Sequence, residues 1–214
     1  MKTEIRIVAG SLRGRKLACN VHPDLRPTPQ MVREAFFSIL GNAIPDRPFF
    51  DIFSGTGVVG IEALSRGASS AIFLERDLQQ SRDIEGHIKR FELMKKGRVY
   101  RTDVYRWIAT WQAPEEPVNI FVSPPFPDLH ERSEAFIESV QTLMNKVAEE
   151  SVIVLQTERD SPVEEAELLM DWEIRRYGRN SLMIWQKESP EEAAASDAGE
   201  SSEVDQKNEE ANRE

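Results

Sequence analysis

Cysteine, histidine and long apolar runs are all scarce in this sequence, and each scarcity excludes a class of protein. Cys19 is the only cysteine, so no disulfide can form within the chain and a reducing compartment is expected. Three scattered histidines without metal-ligand spacing predict no metal site. No apolar stretch approaches the length of a membrane span or resembles the core of a signal peptide. We therefore expect a cytoplasmic protein that does not associate with membranes.

The negative charge of the chain is concentrated near its C-terminus. The net charge is −10, and residues 188–214 hold ten acidic against two basic residues. This segment is rich in Glu, Ala and Ser, which predicts a disordered acidic tail. The preceding residues, 1–187, are enough for one sizeable core, and we expect one domain that acts as a monomer.

A glycine-rich turn between an apolar strand and a helix is the first motif with chemical content. The run Phe49 to Phe53 predicts a buried strand, and apolar periodicity from Val58 predicts a helix. Between them, Gly55, Gly57 and Gly60 have G-x-G-x-x-G spacing. Glycine lets the backbone approach a ligand, and the helix N-terminus offers unpaired N–H groups. The motif predicts a nucleotide pocket; a tight turn without a ligand is the alternative.

Three acids indicate which nucleotide this pocket would hold. Glu75 ends a second apolar run, where its carboxylate could accept hydrogen bonds from both hydroxyls of a ribose. Asp51, at the tip of the first strand, would repel a pyrophosphate but suits the ammonium group of a methionine moiety. Asp51 therefore favours S-adenosyl-L-methionine over NAD. Asp103 follows a third strand and would border the adenine, with a helix N-cap as its alternative or additional role.

The second chemical motif follows a fourth strand, predicted over 118–122. It reads Ser123-Pro124-Pro125-Phe126. Two prolines stiffen the backbone and cannot extend a sheet, so the Ser123 side chain and the Pro124 carbonyl would be held rigidly where ligands bind. Phe126 could stack on a flat substrate. The alternative is a Pro-Pro pair that merely ends the strand.

The N-terminus predicts a basic hairpin. Residues 4–18 read as two short strands about a turn between Gly10 and Gly14, within an arm over 1–25. Arg13, Arg15 and Lys16 crowd that turn. We favour an arm that grips RNA over a charged edge that only blocks aggregation.

The first helix is predicted to follow the arm, with Thr28 as N-cap and Pro29 at its first position. Its apolar residues keep helical spacing and are expected to face the core; they are Met31, Val32, Ala35, Phe36, Ile39 and Leu40. Arg33 and Glu34 lie off that stripe.

The rest of the chain alternates predicted helices and strands. Helices are expected over about 78–94 and 132–147, with Trp107, Ile108 and Trp111 on the core side of another. Strands are expected over 99–101 and 151–157, and a closing hairpin over 172–177 and 181–186.

With both motifs in view, the sequence resembles the bacterial 16S ribosomal RNA (guanine-N2)-methyltransferases over residues 5–186. The segments that carry the likeness, besides the glycine turn, are Arg6-Ile7-Val8-Ala9-Gly10, Gly14-Arg15, Arg26-Pro27-Thr28, Val32-Arg33-Glu34-Ala35-Phe36, Ser65-Arg66-Gly67-Ala68 and Ser123-Pro124-Pro125-Phe126. The resemblance implies an α/β, Rossmann-like class I methyltransferase fold. Its mostly parallel seven-stranded sheet would carry helices on both faces and an N-terminal β-hairpin extension. It also implies S-adenosyl-L-methionine as cofactor and ribosomal RNA or the small ribosomal subunit as partner.

The same resemblance assigns roles to individual residues. Asp51, Gly55 and Gly57 would contact the methionine end of the cofactor, Glu75 the ribose and Asp103 the adenine amino group. Their neighbours Ser54, Thr56, Arg76 and Val104 complete the expected cofactor site. Ser123, Pro124, Pro125 and Phe126 would be catalytic. The expected RNA contacts are Arg6, Arg13, Arg15, Lys16, Arg26 and Arg33.

One position departs from the family pattern. Guanine-N2 enzymes usually have Asp or Asn where this chain has Ser123, although serine occurs in some DNA cytosine-N4 enzymes. Cytosine N4 or a protein glutamine amide are therefore alternative targets. A non-catalytic RNA-binding assembly factor is a further alternative, and an NAD-dependent oxidoreductase is the weakest.

Overall fold

The computed structural model describes residues 2–20 and 27–189, and these form nine strands and six α-helices. The strands are β1 (Lys2–Arg6), β2 (Lys16–Asn20), β3 (Pro48–Ile52), β4 (Ser70–Glu75), β5 (Gly97–Arg101), β6 (Asn119–Val122), β7 (Val152–Glu158), β8 (Glu173–Tyr177) and β9 (Asn180–Gln186). The helices are α1 (Gln30–Leu40), α2 (Val58–Ser65), α3 (Leu78–Arg90), α4 (Val104–Thr110), α5 (Phe126–Glu131) and α6 (Ser133–Lys146). Arg26 and the predicted acidic tail, apart from its first two residues, lie outside the described residues.

Seven strands form one mostly parallel sheet in the order β5-β4-β3-β6-β7-β9-β8. Strands β3 to β7 run parallel, whereas β9 is antiparallel to both β7 and β8. The predicted sheet and closing hairpin are confirmed. From β3 the chain first builds outward through β4 and β5 and then returns to β6 on the other side. Ligands bind in open α/β sheets at such a reversal, outside the carboxyl ends of the strands.

Helices cover both faces of this sheet, as predicted. One apolar cluster joins α1, α2 and α3 to one face and contains Phe36, Phe49 and Phe73. A second joins α4 and α6 to the other face and contains Phe50 and Phe136. Adjacent residues of β3 therefore enter different clusters, because side chains alternate along a strand. This double coverage explains why β3 and β6 are buried along their whole length.

The predicted N-terminal hairpin forms a separate two-stranded sheet that packs on the main domain. Strands β1 and β2 are antiparallel, and Ile7, Leu17 and Cys19 are buried beneath them. The backbone N–H and side-chain amide of Asn20 both donate to Asp83 on α3. A lone two-stranded hairpin is marginally stable. The arm is therefore held by its contacts with the domain.

The predicted start of α1 is wrong. The helix begins at Gln30 with Pro29 as N-cap, and no side chain caps it. The Thr28 hydroxyl instead donates to Gln156 Oε1 at 2.9 Å, because a buried tertiary acceptor competes with local capping. Two further predictions fail on this helix: Met31 is 56% exposed, and Arg33 belongs to the buried face.

Two other boundaries also differ from prediction. Helix α3 ends at Arg90, and Glu92 has φ 59°, a left-handed conformation that ends the helix before Met94. The short helix α5 was not predicted, since its six residues are too few to show a period. Across residues 2–20 and 27–189, none of the helices combines the length and hydrophobicity needed to cross a bilayer.

Candidate active site

The two sequence motifs meet at the carboxyl ends of β3 and β6. These strands are direct neighbours, with Ile52 paired to Val122. The Ser123 N–H donates to the Ile52 carbonyl at 3.1 Å, so the diproline segment leaves the sheet beside the start of the glycine turn. The fold therefore brings the predicted cofactor pocket and the predicted catalytic segment together at the reversal of strand order.

The glycine turn is fixed by left-handed backbone and close packing. Gly55 and Gly57 have φ of 52° and 70°, which favours glycine. A Cβ on Gly57 would lie 2.7 Å from Ile84 of α3, and one on Gly60 would lie 2.3 Å from the Phe73 ring of β4. The glycines thus give the turn its shape and let α2 pack tightly on the sheet.

The Ser54 hydroxyl inside the turn is hydrogen-bonded to the protein, and Thr56 is buried beside it. The buried Ser54 hydroxyl donates to the Asp51 carbonyl at 2.6 Å, and its N–H donates to the Leu74 carbonyl at 3.0 Å. Thr56 is also buried, with 3% of its surface exposed. Ser54 therefore holds the turn in place, and direct cofactor contacts by the side chains of Ser54 and Thr56 stay predictions.

Asp51 lies in the interior, with 1% of its surface exposed. Its Oδ2 accepts a hydrogen bond from the Gly60 N–H at 2.9 Å. Burial raises the pKa of Asp51 to about 8, although the Gly60 hydrogen bond works in the opposite direction. The carboxyl group thus ties the first turn of α2 to β3. Its contact with a methionine ammonium group stays a prediction.

Glu75 lies at the carboxyl end of β4 and faces the glycine turn. Its Oε2 accepts from the Gly55 N–H and its Oε1 from the Asp77 N–H, both at 2.8 Å. Burial raises the pKa of Glu75 above its ordinary value. A carboxylate oxygen can accept more than one hydrogen bond, so two hydroxyls of a ribose can still bind here. Arg76, the next residue, is exposed.

Asp103 follows β5 and serves as the N-cap of α4. Its Oδ1 accepts from the Arg106 N–H at 3.0 Å, which confirms the capping role. Because the side chain is exposed, its other oxygen can also meet an amino group. Val104 is 4% exposed and packs in the core, so only its backbone can face a ligand.

The diproline segment is supported from two sides. Ser123 and Phe126 are half-buried, and α5 begins at Phe126. On one side, the Tyr105 hydroxyl donates to Asp128 of α5 at 2.7 Å. On the other, the Ser123 hydroxyl donates to Gln156 Oε1 at 3.4 Å. Sequence reasoning missed these partners. The sequence did contain one indication of them, because Gln156 is a polar residue inside the apolar run of β7.

Four of the predicted RNA contacts form an exposed basic surface on the arm: Arg6, Arg13, Arg15 and Lys16. Lys16 pairs with Glu4 at 2.6 Å, and the Arg15 guanidinium lies 5.6 Å from the centre of the Phe91 ring. Arg6 and Arg13 line an open cavity of about 300 Å³ between the arm and α1. This cavity is separate from the crevice that the two motifs form.

The structure places Arg33, another of the six predicted RNA contacts, in the interior, which contradicts its assignment to an RNA surface. The residue is 2% exposed, and its Nε lies 3.3 Å from Glu62 of α2. Its other nitrogens donate to the Thr28 and Arg6 carbonyls at 2.8 and 2.9 Å. Arg33 therefore joins the arm to α2 and is not available to phosphate.

Metal ligation is not indicated within the described part of the chain. No three of its His, Cys, Asp and Glu side chains are grouped so that they could hold an ion.

Comparison with known proteins places this arrangement in context. The chain matches the family described as "Conserved hypothetical protein 95" over residues 5–186. It is 32% identical over 199 residues to Ribosomal RNA small subunit methyltransferase D of Escherichia coli strain K12, covering 90% of this chain and 94% of that protein. It is also 32% identical over 190 residues to YlbH of Bacillus subtilis strain 168, provisionally named an rRNA methyltransferase, covering 86% and 99%.

A solved structure is similar over the same region. The structure of yhhF from Escherichia coli has a TM-score of 0.70 and 30% identity, and the likeness covers 87% of this chain and 99% of that one. The similarity covers nearly the whole length of each of these relatives. The similarity therefore includes the hairpin, the glycine turn and the diproline segment together.

Proposed function

The chain belongs to the conserved hypothetical protein 95 family, and from that premise we propose that it is an S-adenosyl-L-methionine-dependent rRNA methyltransferase. We further propose the N2 amino group of a guanine in small-subunit RNA as its target. The observation that carries the proposal is the Ser123–Ile52 contact, which sets the diproline segment directly beside the glycine turn. A methyl donor and a flat amino group can thus be held in one crevice.

The residues at the crevice fit this cofactor. The two ribose hydroxyls and the adenine amino group are donors, and Glu75 and Asp103 offer carboxylate oxygens at the carboxyl ends of neighbouring strands. When bound, the cofactor supplies a methyl group that its sulfonium has already activated. The protein therefore has to align a weak nucleophile with that group and keep it aligned.

Ser123 and Pro124 would perform this alignment. An exocyclic amine on guanine has its lone pair delocalised into the ring. The Ser123 hydroxyl oxygen and the Pro124 carbonyl would accept its N–H groups and favour the positive charge that develops on nitrogen. The excess proton then leaves to water. Phe126 would stack on the base, which must first be unstacked from its neighbours.

The arm supplies a surface for the RNA backbone. Arg6, Arg13, Arg15 and Lys16 are exposed and belong to an element that is fixed to the domain. Phosphate contacts of this kind position a nucleic acid without reading its sequence. Arg26 stays a candidate contact outside the described residues, whereas Arg33 is excluded by its burial.

A methyl-transfer assay tests the proposal. The full chain is incubated with radiolabelled cofactor and either 16S RNA or small ribosomal subunits from a strain that lacks the enzyme. We expect label in RNA, and mass spectrometry should locate it on the N2 of one guanine. Ser123→Ala should slow transfer with little change in the affinity for S-adenosylhomocysteine. Label on another amino group, or on protein alone, would refute the guanine assignment.

A further inference from the structure

A buried polar network lies directly behind Ser123. Gln156 of β7 is 4% exposed, and its Oε1 accepts hydrogen bonds from the hydroxyls of Thr28 at 2.9 Å and Ser123 at 3.4 Å. Its Nε2 donates to Asn180 Oδ1 at 2.8 Å. Buried polar groups are costly unless they are satisfied. Here every polar atom of the glutamine side chain has a partner.

This network connects segments that are distant in the sequence. Thr28 belongs to the Arg26-Pro27-Thr28 segment, and Asn180 begins β9 beside the end of β7. The carboxamide of Gln156 is held at both ends, so its oxygen points towards Thr28 and Ser123 and its nitrogen towards Asn180. In this tertiary arrangement the oxygen end of the amide is the one that meets the serine.

The direction of the serine hydroxyl decides what it offers to an amine. A hydroxyl has one proton and two lone pairs, and it rotates to suit its surroundings. An amino N–H needs an acceptor, so a hydroxyl that turns its proton towards the amine opposes binding. A carboxylate has no such ambiguity. A serine at position 123 therefore requires a partner that accepts a hydrogen bond from its hydroxyl.

We propose that Gln156 is a positioning residue that accepts a hydrogen bond from the Ser123 hydroxyl and so turns the serine lone pairs towards the target amino group. Thr28 and Asn180 hold the Gln156 carboxamide in the orientation that this requires. The inference rests on the proposed function and extends it. It explains how a serine serves in a segment where the family usually has an acidic or amide side chain.

The test compares single-turnover methyl transfer by the full chain with Gln156→Leu and Gln156→Glu. Loss of the acceptor in Gln156→Leu should lower the rate about 10-fold, less than the roughly 100-fold that a misplaced reacting group can cost. Gln156→Glu keeps an acceptor oxygen and should recover most of that loss. Affinity for S-adenosylhomocysteine should not change in either variant.

A neighbouring residue provides the matched control. Thr157 is also buried in β7, but its hydroxyl donates to Glu164 Oε1 at 2.9 Å, away from Ser123. Thr157→Val should lower the melting temperature and leave the transfer rate unchanged. If Gln156→Leu and Thr157→Val affect the rate equally, Gln156 has only a structural role and the proposal fails.

A double-mutant cycle separates this proposal from the function itself. In a Ser123→Ala background, adding Gln156→Leu should lower the transfer rate by less than about twofold, because both changes remove the same interaction. A full additional loss would show that Gln156 acts independently of Ser123. Absence of transfer by the unaltered chain would instead refute the proposed function, so the two failures are distinguishable.

Discussion

Replacing Gly10 with alanine should release the arm from helix α2. Gly10 has φ 82°, and a Cβ there would lie 1.9 Å from the carbonyl oxygen of Ser65 at the end of α2. That oxygen is backbone and cannot rotate away. The turn must therefore lift from α2 if alanine is to fit.

The magnitude follows from the contacts that would be lost. The Ser11 N–H donates to the Ser65 carbonyl at 2.7 Å, and the Leu12 N–H donates to the Ser65 hydroxyl at 2.9 Å. That hydroxyl in turn donates to the Ala9 carbonyl at 2.6 Å. Each bond contributes about 1 kcal/mol net, and a left-handed alanine costs roughly 1–2 kcal/mol. Gly10→Ala should thus cost about 4–5 kcal/mol.

Gly14→Ala is the matched control. Gly14 has φ 81°, but nothing lies within 4 Å of the Cβ it would carry. This variant bears only the conformational cost, so it should lose about 1–2 kcal/mol. The two variants share residue type, turn and backbone conformation, and they differ only in the contact with Ser65.

Urea denaturation and hydrogen exchange measure the two variants. The arm can open before the whole domain unfolds, so amide exchange within residues 2–20 reports the local loss and the urea midpoint the global one. We expect faster exchange of the Leu12 amide in Gly10→Ala, with unchanged binding of S-adenosylhomocysteine. Equal destabilisation by the two substitutions would refute the idea that the Ser65 contact docks the arm.

Three further predictions concern charged residues. Because burial raises the pKa of Asp51 to about 8, the folded state holds a proton that the unfolded chain has released above its own pKa. The free energy of unfolding of the unaltered chain, relative to that of Asp51→Asn, should therefore fall by roughly 1 kcal/mol per pH unit between pH 5 and 8. Urea denaturation at several pH values measures this difference, and a difference that does not change with pH would contradict the prediction. Arg33→Met leaves Arg66 as the remaining ion-pair partner of buried Glu62 and should lower the free energy of unfolding by about 3 kcal/mol. An unchanged urea midpoint would contradict a stabilising role for the buried Arg33–Glu62 pair. Replacing Arg6 and Arg13 with glutamine should weaken RNA binding and flatten its salt dependence, measured by filter binding, whereas exposed Lys89→Gln should leave the slope unchanged.

Much of the fold could be predicted because it follows from local patterns of apolar residues, glycine and proline. Apolar runs predicted the strands β3 to β7 and the closing hairpin, and the family resemblance predicted that the sheet is mostly parallel; these predictions are confirmed. The glycine turn and the diproline segment were recognised because their chemistry depends on backbone shape, which proline and glycine encode locally. The family resemblance over residues 5–186 is also confirmed.

Other assignments failed because their outcome depends on distant partners. Thr28 is a residue type that is preferred at helix N-caps, yet its hydroxyl donates a hydrogen bond to Gln156, which is distant in the sequence. Arg33 was assigned to the RNA surface as a charged residue off the apolar stripe of its helix, but it is buried, where it contacts Glu62 and two backbone carbonyls. Nothing local distinguishes a cation that faces solvent from one that meets a buried carboxylate.

The sequence by itself determined the order of the strands along the chain and the two motifs at the crevice, since these depend on short-range periodicity and on residues with restricted backbone. The class of chemistry was predicted from the family resemblance that these segments carry. Only the tertiary structure decided which polar side chains serve the site and which hold the fold together. It brought Gln156 within hydrogen-bond distance of Ser123 and joined the arm to Ser65. The reason is that hydrogen bonds and ion pairs become decisive when burial removes water, and burial is a property of the whole packed chain.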